Sequence, residues 1–298
     1  MFNSNIIKES AIISGFDLVG ITAPREFEFN RTVYFEWLES GAAEPLDYMQ
    51  LYLDQRFNPV NLLDGTRSIV VCAINYKNEF SLAQSRSQLP KIASYALAKD
   101  YHKIIRKQLK NLLKMLQKIE PSLNGRCCVD TAPLLEKQLA VEAGLGWIGR
   151  QSLLVTPQFG TFVLLGVLLL DHSVDTLDAP LSGSGCAECR RCVDACPNGA
   201  ILNNRTIDTR RCISAQTVEC DASENMNLHG WIFGCDECQS ICPYNRHTPL
   251  STNADIQPIF TPISSERWRL MSAEEFAKQL SSTPMKRGGL LRLQRNCK

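Results

Sequence analysis

Cys186-Ala187-Glu188-Cys189-Arg190-Arg191-Cys192-Val193-Asp194-Ala195-Cys196-Pro197 places cysteines at three-residue intervals, then a fourth before proline. Three thiolates so spaced take three corners of one iron-sulfur cubane, and the cysteine before proline reaches a second cluster. A second run, Cys235-Asp236-Glu237-Cys238-Gln239-Ser240-Ile241-Cys242-Pro243, repeats the pattern without its first cysteine, because Ile232 stands in that position. Cys212 is the available substitute, and Cys220 competes with it. With Cys212, the crossed assignment gives Cys186, Cys189, Cys192 and Cys242 to one [4Fe-4S] cluster, and Cys212, Cys235, Cys238 and Cys196 to the other. Two structural zinc sites are the competing reading. Zinc ligands, however, come as two separated pairs, not as a triplet followed by Cys-Pro that occurs nearly twice. The segment is therefore read as a carrier of single electrons.

The run is the one found in bacterial ferredoxins, but the rest of the chain is far larger than a ferredoxin needs. Its 298 residues can bury a sizeable core, and a net charge of +1 leaves any nucleic-acid contact to local patches. The N-terminal stretch carries Lys8 and Glu9 among its apolar residues and does not read as a signal peptide. The longest apolar run, Phe162 to Leu170, is half a bilayer span and reads as a buried strand. A cytosolic protein without a membrane segment is expected. There thiols stay reduced, so thirteen cysteines point to metal ligation instead of disulfides. Cys72, Cys127, Cys128 and Cys297 have no ligand spacing and read as incidental thiols.

Upstream of the cysteines, helical and strand signals alternate. Ile6 to Ser14 is apolar at helical spacing, while Leu18 to Ile21, Ser68 to Asn75, Cys127 to Val129, Leu153 to Thr156 and Thr161 to Leu170 read as strands. Tyr101 to Glu120 is the clearest helix, with Ile105, Leu109, Leu112 and Leu116 on one stripe and Lys103, Lys107, Lys110 and Lys114 on another. Leu134 to Ala143 reads as a further helix closed by Gly144. This pattern predicts an α+β fold with a covered sheet over residues 1–178. A linker-like stretch from Ala179 to Gly185 opens a cluster-binding domain over 179–250, which is short of apolar runs and relies on its metal for a core. Residues 251–298 are expected to be a polar, basic tail packing on the core, with one helical piece around Ser272 to Leu280.

Several ordered segments resemble one family. These are Lys99-Asp100-Tyr101-His102, Val129-Asp130-Thr131-Ala132-Pro133-Leu134-Leu135-Glu136-Lys137, Gly144-Leu145-Gly146-Trp147-Ile148-Gly149-Arg150-Gln151-Ser152, Arg211-Cys212-Ile213-Ser214 and Gly234-Cys235-Asp236-Glu237-Cys238-Gln239. Together they are similar to the epoxyqueuosine reductases. The resemblance implies a nitroreductase-like, cobalamin-binding catalytic domain joined to the two-cluster domain. It also implies reduction of the epoxide of epoxyqueuosine in a tRNA anticodon stem-loop, with electrons from a low-potential donor such as ferredoxin or flavodoxin. It favours Cys212 over Cys220 and makes Asp130 the acid that protonates the epoxide oxygen, which calls for a raised pKa. Residues alone allow a plainer role for Asp130 as cap of the following helix.

The resemblance further implies cobalamin contacts from Ile148, Gly149, Arg150, Gln151, Ser152 and Leu154, with Asp130, Arg56, Leu165 and Ser214 beside them. Three glycines between Gly144 and Gly149 suit a backbone that approaches a flat macrocycle, and equally a helix-end loop. Asp100, Tyr101 and His102 are supporting residues. Ala215-Gln216 departs from the aromatic and leucine usual in the family, which questions the packing there. The chain is expected to act as a monomer. Another corrinoid iron-sulfur reductase of the dehalogenase type and a plain electron carrier are the competing functions. Lys286, Arg287, Arg292 and Arg295 are candidate contacts to the tRNA backbone.

Overall fold

A computed structural model describes residues 1–183, 185–220 and 226–297; Ser184 of the expected linker lies outside them. Its strands are β1 (Leu18–Thr22), β2 (Ser68–Asn75), β3 (Lys91–Ile92), β4 (Gly125–Cys128), β5 (Trp147–Ile148), β6 (Leu154–Val155), β7 (Val163–Leu170) and β8 (Trp231–Phe233). β1, β2, β7 and β4 form an antiparallel sheet in that order, with Ser68 opposite Leu170 and Cys128 opposite Val167. β2 is buried at all eight positions, as a continuous β-branched run in a central strand must be.

Alternation along β2 divides the interior. Val70, Cys72 and Ile74 face one core with α1 (Ser4–Ile13), and Ile69, Val71 and Ala73 face another. On the first side lies the long helix Tyr101–Ile119, its stripe Ile105, Leu109, Leu112 and Leu116 fully buried as its period predicts. Gly166 of β7 permits this approach, since a Cβ there would lie 2.5 Å from Ile105 Cγ2. On the second side, Leu139 and Ala140 of the helix Glu136–Glu142 pack with Leu134 and Leu145. Gly144, at φ 73°, ends that helix as expected, with Leu145 N–H returning to the Ala140 carbonyl at 2.9 Å. The helix begins at Glu136, two residues later than the apolar pattern suggests, because the chain turns sharply at Asp130 first.

The C-terminal segment holds the helix expected around Ser272 to Leu280, at Ala273–Leu280, and two further helices beside it. Three helices, Ser265–Leu270, Ala273–Leu280 and Gly289–Asn296, and the short turn Pro284–Arg287 bury Trp268, Phe276, Leu280, Met285 and Leu293 in a third core. That core includes Ile232 and Phe233 of β8, whose parallel pairing with β3 ties the cysteine-rich segment to the rest. The apolar residues are spaced about one per turn among charges, so composition conceals them. Among the described residues, no helix is long and apolar enough to cross a membrane.

Candidate active site and cluster segment

Asp130 follows β4, two residues beyond Cys128. Cys128, the last residue of β4, pairs with Val167 of β7, whose positions 163–165 are half-buried. The Asp130 backbone is left-handed (φ 51°), at the centre of a three-residue turn closed by Thr131 N–H to the Val129 carbonyl at 2.5 Å. Such a conformation costs a non-glycine residue about 1–3 kcal/mol and persists only where surroundings enforce it. The following helix starts six residues later, so Asp130 does not cap it.

The Asp130 carboxylate instead meets His102. Nε2 of His102 lies 2.9 Å from Asp130 Oδ2, and Nδ1 lies 2.7 Å from Asp100 Oδ1. Asp100 also caps the long helix, accepting the His102 N–H at 3.1 Å, so the helix start aims the imidazole. Burial pushes the Asp130 carboxyl up, but the hydrogen bond and charge of His102, with Arg287 and the Tyr101 hydroxyl, hold it below the usual range. This corrects the raised pKa expected from sequence. Burial lowers His102, yet hydrogen bonds from Asp130 and Asp100 outweigh it and raise the imidazole above its ordinary value. The pair therefore carries its shared proton on the histidine side. Next to it, burial first and the Asp130 charge second push Glu136 up to about 8.

The glycine-rich loop is used internally. A Cβ at Gly146 would lie 2.1 Å from the Val155 carbonyl oxygen, and one at Gly149 would lie 2.5 Å from Gln151 Oε1. Ile148 and Leu154 pair across the β5–β6 hairpin, and Leu154 is buried among Leu139, Ala140 and Leu145. Ser152 has a positive φ and its carbonyl accepts from Lys137 Nζ. Arg150 spans to the cysteine loop, donating Nε to the Cys189 carbonyl at 2.8 Å and Nη2 to that of Ala187 at 2.7 Å. Gln151 Oε1 lies 3.5 Å from Cys192 Sγ. Gln151 Nε2, Arg56 Nε and Trp147 Nε1 are buried without a hydrogen-bond partner. Ser214 sits in the first turn of the helix Ile213–Val218, immediately after Cys212.

The thiols influence one another within the two expected sets, while among the described residues no three of them stand together as a ready metal-binding group. Burial raises the Cys242 thiol to about 11, and the nearness of Cys186, Cys192 and Cys189 adds to it. Burial likewise raises Cys212, with Cys196 beside it, and Cys235, with Cys212 beside it. Cys238 lies among Cys235, Cys212 and Cys192, between the groups. Cys220 is at the far end of its helix, with Sγ 3.6 and 3.7 Å from the carbonyls of Ala215 and Gln216. The unusual Ala215-Gln216 pair is accommodated: both are buried, and Gln216 Nε2 donates to the Thr209 carbonyl at 3.2 Å. Gly185 is wedged between Trp147 and Tyr244, leaving no room for a side chain ahead of Cys186. Of the tail cations, Arg287 pairs with Glu219 and Arg292 donates to the Val218 carbonyl at 2.7 Å, so both brace the fold.

Sequence reasoning left His102 as a supporting residue and gave Glu136 no role. Their signal is the Asp-x-His spacing at a helix start and a glutamate six residues beyond the acid. Its meaning appears only when the turn and the helix meet.

Comparisons with known proteins agree with this architecture. The family model of epoxyqueuosine reductase QueG matches residues 56–131, and that of the 4Fe-4S double cluster binding domain matches residues 185–245. The epoxyqueuosine reductase of Cyclobacterium marinum is 36% identical, over 99% of this chain and 95% of its own. The structure of epoxyqueuosine reductase from Streptococcus thermophilus superposes with a TM-score of 0.86 at 26% identity, covering 98% of this chain and 78% of that one. An epoxyqueuosine reductase crystallised with an epoxyqueuosine-modified tRNA-Tyr stem loop shares the fold, with a TM-score of 0.88 at 24% identity over 98% of this chain and 79% of that one. With an α+β sheet domain, a double-cluster segment and near full-length similarity, this chain belongs to the epoxyqueuosine reductases, oxidoreductases that act on tRNA.

Proposed function

We propose that this chain removes the epoxide oxygen of epoxyqueuosine in a tRNA anticodon loop, using two [4Fe-4S] clusters and cobalamin, with Asp130 as the proton donor to that oxygen. The Asp130–His102–Asp100 chain of contacts carries the reading, because it holds a proton beside Glu136, whose neighbour Lys137 bonds the glycine-rich loop at Ser152. The oxygen leaves as water, so the reaction consumes two electrons and two protons.

The residues fit the groups. Two sets of four thiols suit two cubanes, in the crossed assignment. Buried donors without partners cost about 1–3 kcal/mol each. Those on Gln151, Arg56 and Trp147 suit the amide-fringed rim of a corrin, and half-buried Leu165 suits its flat face. When bound, the clusters supply single electrons and cobalamin supplies the low-potential centre that meets the epoxide. A low-potential donor of the ferredoxin or flavodoxin type replenishes them.

The chain's own residues then handle position and protons. Arg150 and Gln151 fix the loop to the cysteine group at Cys189 and Cys192, so the two redox sites cannot drift apart. The proton resting on His102 Nε2, held by Asp100, passes to Asp130 Oδ2 and from there to the departing oxygen. Incubation of the cluster-loaded protein with epoxyqueuosine-containing tRNA and a low-potential reductant, with and without cobalamin, tests the reading by mass analysis of the released nucleoside. Loss of one oxygen only in the cobalamin sample is expected. Equal conversion without cobalamin would remove that cofactor, and no conversion in either would remove the reaction.

A further inference from the structure

A left-handed aspartate in a tight turn does not hold itself in place, and little fastens this one from behind. Its carboxylate is spent on His102, and the side chain remains 46% exposed. Thr131 and Ala132 continue in turn conformation before the next helix. Among the described residues, the one contact that fixes the Asp130 backbone from outside the turn comes from Glu136, whose Oε1 accepts the Asp130 N–H at 2.8 Å. Glu136 occupies the first position of the helix Glu136–Glu142, whose Leu139 and Ala140 are fully buried in the second core. The contact therefore ties a strained turn to a rigid element.

We propose that Glu136 is the positioning residue that latches the Asp130 turn, holding its amide so that the carboxylate faces His102. The proposal rests on the reading of Asp130 as proton donor, and it adds the residue through which the fold controls that donor.

Three observations support the latch. The N–H it accepts belongs to the residue whose φ is unfavourable, so losing the acceptor lets the turn relax toward ordinary dihedrals and swings the carboxylate off His102. Burial, and then the Asp130 charge, push Glu136 up to about 8. The shift favours the uncharged carboxyl, which still accepts through an oxygen and lessens the anion placed beside Asp130. The groups facing it are Asp130, Lys137 and His102; Lys137 Nζ is directed to the Ser152 carbonyl and so joins the same helix end to the glycine-rich loop.

The latch predicts distinct results for substitutions of similar size in the cluster- and cobalamin-loaded enzyme. Glu136→Gln keeps an acceptor oxygen and a neutral side chain, so kcat on an epoxyqueuosine stem-loop should stay within a few-fold. Glu136→Met keeps the bulk and removes the acceptor. Its kcat should fall ~100-fold with KM unchanged, the effect expected when a reacting group is displaced by about 1 Å. Hydrogen exchange read by mass spectrometry should then rise in a peptide spanning 129–135 in the Met variant and not in the Gln variant, while the cluster absorbance of both stays normal. Equal kcat for the Met variant and the parent overturns the latch, as does a Gln variant as impaired as the Met variant. Should Glu136→Met fold poorly, the exchange of the Gln variant decides alone, since faster exchange of 129–135 in a variant that retains the acceptor also overturns it. Asp130→Asn separates the two layers. If that variant is fully active while Glu136→Met still speeds exchange, the acid assignment fails and the latch of the turn stands.

Discussion

At the residue scale, the chemistry of Asp130 is decided by what touches it more than by how deeply it lies. Burial alone would raise its pKa, and a lone acid in an apolar cleft would be read that way. The His102 contact at 2.9 Å reverses the direction, holding the aspartate below its ordinary value and the histidine above its own. An aspartate held low adds stability above its unfolded pKa of 3.8, and that stability is lost as pH falls through the lower folded value. A histidine held high adds stability fully present below 6.5 and lost as pH rises through its folded value. The pair is intact only between those limits. Turnover should therefore have an alkaline limb set by deprotonation of the pair at a pH above 6.5. Replacing His102 with Asn should abolish that limb or move it, and an identical pH–rate profile would exclude His102 as proton reserve. Asp130→Asn keeps size but has no transferable proton. It should retain both clusters and lose about a hundredfold to ten-thousandfold in turnover. Near-normal conversion would rule out Asp130 as the acid.

Elements were legible in the sequence to the degree that their pattern was undiluted. β2 and β7 are continuous apolar runs in central strands, and the helix from Tyr101 has an unbroken period, so each was readable within a residue or two. The helix after Asp130 was set too early because Leu134 and Leu135 continue its apolar pattern while the chain is still turning. The C-terminal segment was least legible. Trp268, Phe276, Leu280 and Leu293 belong to separate short helices, and only their convergence shows that they form a core with Ile232 and Phe233. That convergence is testable. Trp268 is fully buried, so Trp268→Ala should cost about 3–5 kcal/mol. Denaturation followed at the cluster absorbance should show the lower midpoint, because this core backs β8 and the cysteine segment. A midpoint unchanged by the substitution would mean that the C-terminal helices contribute little to holding the cluster segment.

Across the whole molecule, the cysteine spacing was the most legible feature and also the one whose wiring depends on the fold. Sequence could place three ligands of one cluster side by side, but the fourth comes from the second run, fifty residues after Cys192. The short helices Arg191–Asp194 and Glu237–Ser240 bring the runs together, and Cys242 arrives beside Cys186, Cys189 and Cys192. Cys212, at the start of its helix, faces Cys196 and Cys235, whereas Cys220 at the other end of that helix turns its sulfur to backbone carbonyls. Crossed ligation then predicts which loss damages which cluster. Cys242→Ser should remove the cluster built on the first triplet, the one adjoining Gln151, and so abolish electron delivery to the loop; iron should fall by about half if the other cluster survives. Cys212→Ser should remove the other cluster with a similar loss of iron and leave the first one's spectrum in place, while Cys220→Ser should keep full iron. Iron analysis with electron paramagnetic resonance of the reduced variants distinguishes these outcomes. Full iron in Cys212→Ser together with loss in Cys220→Ser would reassign the eighth ligand, and loss of both clusters from either single variant would mean that the two sites fold as one unit.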